Sequence, residues 1–371
     1  MSPRRYRQFF LGLSALAVLL LWGISLLNGT VAALFKAVWT GELGPLVPLA
    51  GDYTGLPLVD YPVSLLVAFF FQGTNGSEEA YQLFLLDAYS TLQPAFVWLY
   101  VESLRDDYQS LSLLEQPIVF GILWQCFGGA ISLPLYYALH VSRFSDRGRA
   151  IGTHQLGQAR ALPLSFLLGA VVPAVVGMAP AWLGPDARSA RQHQAILAAW
   201  QPGPVWVSVL QMVGSKTASY LWPCRRTTAD DERAVRRWIL ASYLLSAAVS
   251  ASGHLYALGR VLSSENESTS IWRMYVPFPG LLHGPDGLAA DVLKRGPWLF
   301  LQYDLVIISL SSLVWAYSIS SAHNNNNNTF RPARVLAILL GAVAVGPGAT
   351  VSLVLCTRQA SDTVQLSNKA L

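Results

Sequence analysis

The stretch Pro297-Trp-Leu-Phe-Leu-Gln-Tyr-Asp304-Leu-Val-Ile-Ile-Ser-Leu-Ser-Ser-Leu-Val-Trp-Ala-Tyr-Ser-Ile319 carries a single charged side chain, Asp304. A hydrocarbon core of ~30 Å is crossed by about 20 mostly apolar residues in a helix, so this run has the length and composition of a membrane span. Working outward, similar segments recur at 9–28, 56–72, 80–104, 116–140, 162–184, 195–214, 236–260 and 333–356. The segment 56–72 is short and carries Asp60. The segment 195–214 contains Gln201-Pro202-Gly203-Pro204, which breaks or kinks a helix. The expectation is an all-α integral membrane protein, one polytopic bundle of about 7–9 transmembrane helices forming a single domain over 1–371.

Composition points the same way. Hydrophobic residues make up 53% and charged residues 12% of the 371, against ~25% charged in soluble proteins. That balance excludes a disordered chain, a coiled coil and a charge-driven nucleic-acid binder, and argues against an ordinary soluble enzyme. The 12 Trp and 15 Tyr suit headgroup-level belts. Cys126, Cys224 and Cys356 lie far apart, with neither metal-site spacing nor a disulfide framework.

Basic residues suggest orientation. Arg4, Arg5 and Arg7 precede the first segment, which reads as a retained helix because its apolar run is long and no small-residue cleavage site stands out. With a cytosolic amino terminus and nine crossings, 15 of the 25 Lys and Arg fall on the cytosolic side. Of the sequons, Asn266-Glu-Ser268 is then the plausible lumenal glycan site, while Asn28-Gly-Thr30 hugs the membrane. The asparagine run 324–328 reads as a polar loop. The expected location is a multi-pass protein of the endoplasmic reticulum. No internal repeat suggests the inverted-repeat transporter plan.

Ionisable residues at membrane depth are costly, and each is a functional candidate. Asp60, Asp87, Glu102 and Asp304 qualify, with His140 and His254. Asp87, Thr91, Pro94, Trp98, Glu102 and Arg105 share a stripe at helical spacing. Glu102 and Arg105 are also spaced to satisfy each other as an ion pair. Gln125, Gly129, Ser132, Tyr136 and His140 form a second stripe, on which the glycines suit close helix packing. Ser242, Ser246, Ser250 and His254 form a third, and Phe300, Asp304, Ser311 and Trp315 a fourth. Apolar surroundings favour the neutral form of a carboxyl, the state a general acid needs. In the nine-crossing topology Asp60, Glu102, His254 and Asp304 converge on the lumenal half of the bundle.

Absent motifs narrow the chemistry. Asp106-Asp107-Tyr-Gln-Ser and Asp230-Asp231-Glu-Arg-Ala do not continue as aspartate-rich diphosphate sites. No zinc pattern, phosphate-binding loop or nucleophile elbow is present. The expectation is therefore no metal and no cofactor, with protonated side chains acting on a lipophilic substrate. Two rivals use the same residues: a transporter or receptor-like protein, in which the carboxylates carry protons or bind ions, and a sterol-isomerase-like enzyme with a differently shaped substrate.

The stretches Leu92-Gln-Pro-Ala-Phe-Val-Trp-Leu-Tyr-Val-Glu-Ser-Leu-Arg105 and Ile118-Val-Phe-Gly-Ile-Leu-Trp-Gln-Cys-Phe-Gly-Gly-Ala-Ile-Ser-Leu-Pro-Leu-Tyr-Tyr-Ala-Leu-His140 resemble the membrane-bound terpene cyclases of fungal meroterpenoid pathways, of the ascochlorin and ascofuranone type. The resemblance implies cofactor-independent cyclisation of a farnesyl chain on an aromatic or similar head group. A terminal epoxide is protonated, a carbocation forms, and alkenes or an internal oxygen close the rings. Depth and helix face nominate Asp304 and Glu102 as acids, then Asp87 and Asp60. Trp98, Trp124, Gln125, Tyr136, His254, Trp298, Phe300 and Trp315 are expected to contact substrate, since aromatic faces stabilise cations by ~0.5–2 kcal/mol each. The expected partners are a prenylated small molecule and the lipid bilayer, with no nucleic acid; the sequence assigns no oligomeric state.

Overall fold

Every apolar segment folds as helix, but residues that break the hydrogen-bond ladder divide several of them. The computed structural model describes residues 2–44, 47–105, 116–144, 151–223, 228–277, 289–322 and 332–369. Among the described residues, four continuous helices are long and apolar enough to cross a membrane: Pro3–Leu27 (α1), Thr153–Gly177, Ala229–Leu262 and Val292–Ser321. The asparagine run and its neighbouring sequon lie outside the described residues.

After α1 the chain makes a helix that the sequence reading had not anticipated, Thr30–Thr40 (α2). A two-stranded antiparallel hairpin follows, Glu42–Gly44 with Val47–Pro48. Gln194 clamps the segment beyond the hairpin: its Oε1 accepts from Ala50 N–H at 2.7 Å and its Nε2 donates to the Pro48 carbonyl at 2.8 Å. Pro57–Thr74 (α3) begins with Pro at its first turn, where the missing N–H costs nothing.

Glu79–Leu92 (α4) and Pro94–Arg105 (α5) meet at Gln93. Pro94 has no N–H for the Ser90 carbonyl, which interrupts the ladder there. Pro117–Phe127 (α6) and Gly129–Phe144 (α7) meet at Gly128. In one straight helix Phe120 and Tyr136 would sit about 24 Å apart at 1.5 Å per residue. Their ring centroids are instead 5.1 Å apart. The expected single span 116–140 is therefore a helical hairpin folded back at Gly128.

Thr153–Gly177 is α8. Ala190–Trp200 (α9) opens with a capping box at Ser189 and Gln192. Gly203–Leu221 (α10) follows the Gln201-Pro202 break. Thr228–Leu262 (α11), Ile271–Tyr275 (α12) and Ala289–Ala322 (α13) come next. Pro332–Ala344 (α14) and Pro347–Lys369 (α15) fold back at Gly346, so that a Cβ on Gly341 would lie 3.0 Å from Thr350 Oγ1. Both hairpin tips have positive φ, 105° at Gly128 and 90° at Gly346, a region glycine reaches without steric cost.

These fold-backs alter which residues share an end of the bundle. His140 was expected at the opposite side from Glu102, yet His140 Nε2 lies 3.3 Å from Glu102 Oε2. Arg358 reaches the same carboxylate at 3.0 Å. Asp60, Glu102, His254 and Asp304, expected to converge, have four separate settings, and the expected segments 116–140 and 333–356 each fold back on themselves.

Two apolar clusters fill the interior. One joins Phe10, Trp98, Tyr137 and Trp315, and the other joins Phe71, Tyr81, Phe84 and Trp298. The breaks at Gln93, Gly128 and Gln201 fall between them.

Candidate active site

Between the two clusters lies a cavity of about 300 Å³, at the low end of the ~300–1,000 Å³ usual for small-molecule sites. Its wall is built from helix interruptions. Gln93 comes from the α4–α5 break, Gln125, Gly128 and Gly129 from the α6–α7 tip, and Gln201, Gly203 and Pro204 from the α9–α10 break. Two π-helical turns add to it: Val18–Gly23 supplies Trp22, and Leu167–Val171 supplies Gly169 and Ala170. Such turns widen a helix locally and recur at functional sites. Gly169 also lets α8 meet α10 backbone to backbone, since a Cβ there would lie 2.8 Å from the Val207 N and Cα.

Asp304 is the one carboxyl among the described residues lining the cavity, and it is 6% exposed. Its Oδ1 accepts the Ala130 N–H at 2.7 Å. Ala130 lies in the first turn of α7, so the carboxyl faces the positive end of that helix. The Gly129 backbone N–H, in the same first turn, also hydrogen-bonds the carboxyl. Around it stand Leu92, Phe300, Leu301, Leu305 and Ile308.

The remaining polar wall is mostly carboxamide. Gln93 Nε2 donates to the Ala170 carbonyl (3.0 Å), Gln125 Nε2 to Gln201 Oε1 (2.6 Å), and Gln201 Nε2 to the Leu197 carbonyl (3.0 Å). Aromatic faces come from Trp22, Phe69, Phe70, Tyr89, Phe96, Trp124, Trp200 and Phe300. Phe35, Pro62 and Cys126 line the cavity and are also exposed on the outside, which marks where it opens.

The other three carboxylates named from sequence lie elsewhere. Glu102 is enclosed by Arg358, Arg105 (3.3 Å) and His140. The Trp315 indole donates to His140 Nδ1 at 3.3 Å, which leaves Nε2 to carry the proton toward Glu102. Asp87 is bonded to His254 Nδ1 at 2.8 Å and accepts from the Tyr275 hydroxyl at 2.6 Å. Asp60 accepts from the Thr54 N–H (2.8 Å), the Thr54 hydroxyl (2.7 Å) and the Gly55 N–H (2.9 Å) before α3.

Of the expected substrate contacts, Trp124, Gln125 and Phe300 line the cavity. Trp98 instead donates to Ser352 Oγ at 2.9 Å, and Trp315 stacks on Tyr137 at 4.6 Å. Tyr136 packs on Phe120, and Trp298 stacks on Tyr81 at 4.9 Å. His254 is held by Asp87 and by the Val343 carbonyl at 3.2 Å. Tyr89, Gln93, Trp200 and Gln201 were not singled out as site residues by the sequence reading. The signal that pointed to them is a glutamine or aromatic side chain beside a helix breaker, as in Gln93-Pro94 and Trp200-Gln201-Pro202.

Gly128 couples the hairpin to the carboxyl. With φ 105° and ψ 145° its backbone suits glycine alone. A Cβ there would lie 2.7 Å from Leu21 Cδ2 and 3.0 Å from Asp304 Oδ1. Gly128→Ala is expected to lower the thermal midpoint and the turnover per folded molecule together. A variant equal to the wild type in both would show that the tip does not set the carboxyl.

A mainly helical scaffold, with four helices long and apolar enough to cross a membrane, encloses a small apolar cavity with one carboxyl among the described residues. The comparisons then give the family: the model of the CtvD domain matches residues 6–361, and the chain belongs to that family. Terpene cyclase DEP1 of Fusarium langsethiae is 28% identical over 368 residues, covering 95% of this chain and 98% of its own length. Terpene cyclase alnG of Emericella nidulans is 28% identical over 358 residues, with 93% and 91% covered. Terpene cyclase ascI of Acremonium egyptiacum is 26% identical over 315 residues, with 82% and 78% covered. No solved structure matches the chain.

Proposed function

We propose that the protein is an integral membrane terpene cyclase that closes rings on an epoxidised farnesyl chain carried by a polar head group, starting from a proton delivered by Asp304. The observation that carries this reading is the position of Asp304 as the one cavity-lining carboxyl among the described residues, set in an apolar wall. The names of its relatives support the reaction class.

The steps follow from the groups present. The Asp304 O–H bond breaks as the epoxide oxygen takes the proton. The epoxide C–O bond breaks in the same step with its electron pair going to oxygen, which becomes a hydroxyl, and a carbocation is left on carbon. An alkene π pair attacks that carbon and moves the charge along the chain. Loss of a C–H proton, or capture by an internal oxygen, ends the sequence. The proton returns to the Asp304 carboxylate, so product and substrate are isomers. The Ala130 N–H and the α7 dipole stabilise that carboxylate while it waits. Trp124, Trp200 and Phe300 offer ring faces to the cation, and the apolar wall excludes the water that would trap it.

The test is to incubate microsomes containing the protein with an epoxyfarnesyl phenol. The expected result is a cyclised isomer of unchanged mass, absent from microsomes lacking the protein. Recovery of unchanged epoxide, or of a diol heavier by one water, would remove the proposal.

A further inference from the structure

We propose that Tyr89 is a second catalytic residue of this site, its phenol donating a hydrogen bond to the same substrate oxygen that Asp304 protonates; the inference rests on the cyclase reading above. Tyr89 lies on α4, one helical turn before Gln93, while Asp304 lies on α13. Both line the same cavity.

The ring is fixed in place. It packs on Trp200 with centroids 4.7 Å apart and on Phe70 at 6.0 Å. Its hydroxyl, by contrast, makes no hydrogen bond among the described residues. Other tyrosines of the interior spend theirs on the protein: Tyr137 pairs with Ser312 (2.8 Å), Tyr275 with Asp87, and Tyr100 with Ser208 (2.7 Å). The Tyr81 hydroxyl is also unpartnered, but it is sealed in the core outside the cavity. A rigid phenol whose O–H opens on the same cavity as the acid, with no protein acceptor among the described residues to satisfy it, is free to donate to an acceptor bound there.

An epoxide oxygen has two lone pairs. One takes the Asp304 proton and the other accepts from Tyr89. As the C–O bond lengthens while the proton is still shared with Asp304, electron density gathers on that oxygen, so the Tyr89 hydrogen bond strengthens along the reaction and favours the transition state over the bound substrate. Tyr89 keeps its proton throughout. The pair also supplies selectivity, because an unoxidised prenyl terminus has no lone pair for either group. The substrate class this site recognises is therefore a prenyl chain bearing an acceptor oxygen at the end that reaches α4 and α13.

The experiment compares wild type, Tyr89→Phe, Tyr81→Phe and Asp304→Asn in microsomes. It measures kcat and KM for the epoxyfarnesyl phenol, and inhibition by the alkene analogue that lacks the epoxide. Tyr89→Phe is expected to lower kcat by ~10²-fold or more, in the range for loss of one such donor. Its KM should move little, and inhibition by the alkene analogue should match the wild type. Tyr81→Phe should behave as wild type. A Tyr89→Phe enzyme within twofold of wild-type kcat overturns the inference, as does a parallel loss of affinity for the alkene analogue, which marks a packing role. Failure of the cyclase reading is seen separately: the wild type forms no cyclised isomer, or Asp304→Asn turns over at the wild-type rate.

Discussion

Asp304→Asn is expected to abolish formation of the cyclised isomer, while the protein reaches the membrane in normal amount. Asparagine keeps the shape of the side chain, and its Oδ1 still accepts the Ala130 N–H that holds Asp304 at 2.7 Å. What is lost is an acidic O–H. General acid catalysis contributes ~10²–10⁴-fold, and the cavity offers no other carboxyl among the described residues. The expected drop in kcat is thus at least ~10²-fold, and binding of the alkene analogue is retained. The measurement is product formation normalised to membrane-inserted protein. Full turnover by the asparagine variant would exclude Asp304 as the acid and require a donor outside the cavity wall.

Glu102→Leu is expected to fail for a different reason. Glu102 and Arg358 are 2% and 6% exposed, and Arg105 and His140 close the same cluster. Removing the carboxylate leaves buried guanidinium groups without their counter-charge, a loss of ~3–5 kcal/mol in comparable buried pairs. The thermal midpoint of the detergent-solubilised protein should fall sharply. Replacing both partners, as Glu102→Leu with Arg358→Met, should restore part of the loss, because two apolar side chains leave one charge fewer unpaired. If Glu102→Leu kept the wild-type midpoint and lost only turnover, Glu102 would belong to the chemistry. The predicted pattern assigns it instead to holding α5, α7 and α15 together, the helices that carry Glu102, His140 and Arg358.

That assignment also bears on orientation. Arg105 and Arg358 share one carboxylate, and Arg236 Nη2 reaches the Ala360 carbonyl at 3.2 Å, so all three gather at one end of the bundle. The nine-crossing reading spread them over both sides.

The sequence by itself determined the all-α class and most of the helical segments, though not the helix Thr30–Thr40. Runs such as 297–319 and 9–28 fall within helices long and apolar enough to cross a membrane, and a chain in hydrocarbon must satisfy its backbone internally. One breaker was visible as such, Gln201-Pro202-Gly203-Pro204, whereas Pro94, Gly128-Gly129 and Gly346 lay inside segments read as continuous helices. Asp304 was legible as a candidate because it stands alone in such a run. The family resemblance was legible too, in the stretches 92–105 and 118–140.

Only the tertiary structure decided what each break does and which acid meets which partner. A glycine pair inside an apolar segment reads as a packing face or as a hairpin tip with equal ease, since hydropathy is blind to direction. Glu102 meets Arg358 across 256 residues, Asp87 meets His254 across 167, and Asp304 meets Ala130 across 174. Periodicity places a side chain on a face of its own helix but does not say which helix packs there. Three of the four carboxylates share the apolar signature of Asp304 and yet are tied to protein partners. The cavity around the fourth arises because interrupted helices cannot pack flush where their ladders stop.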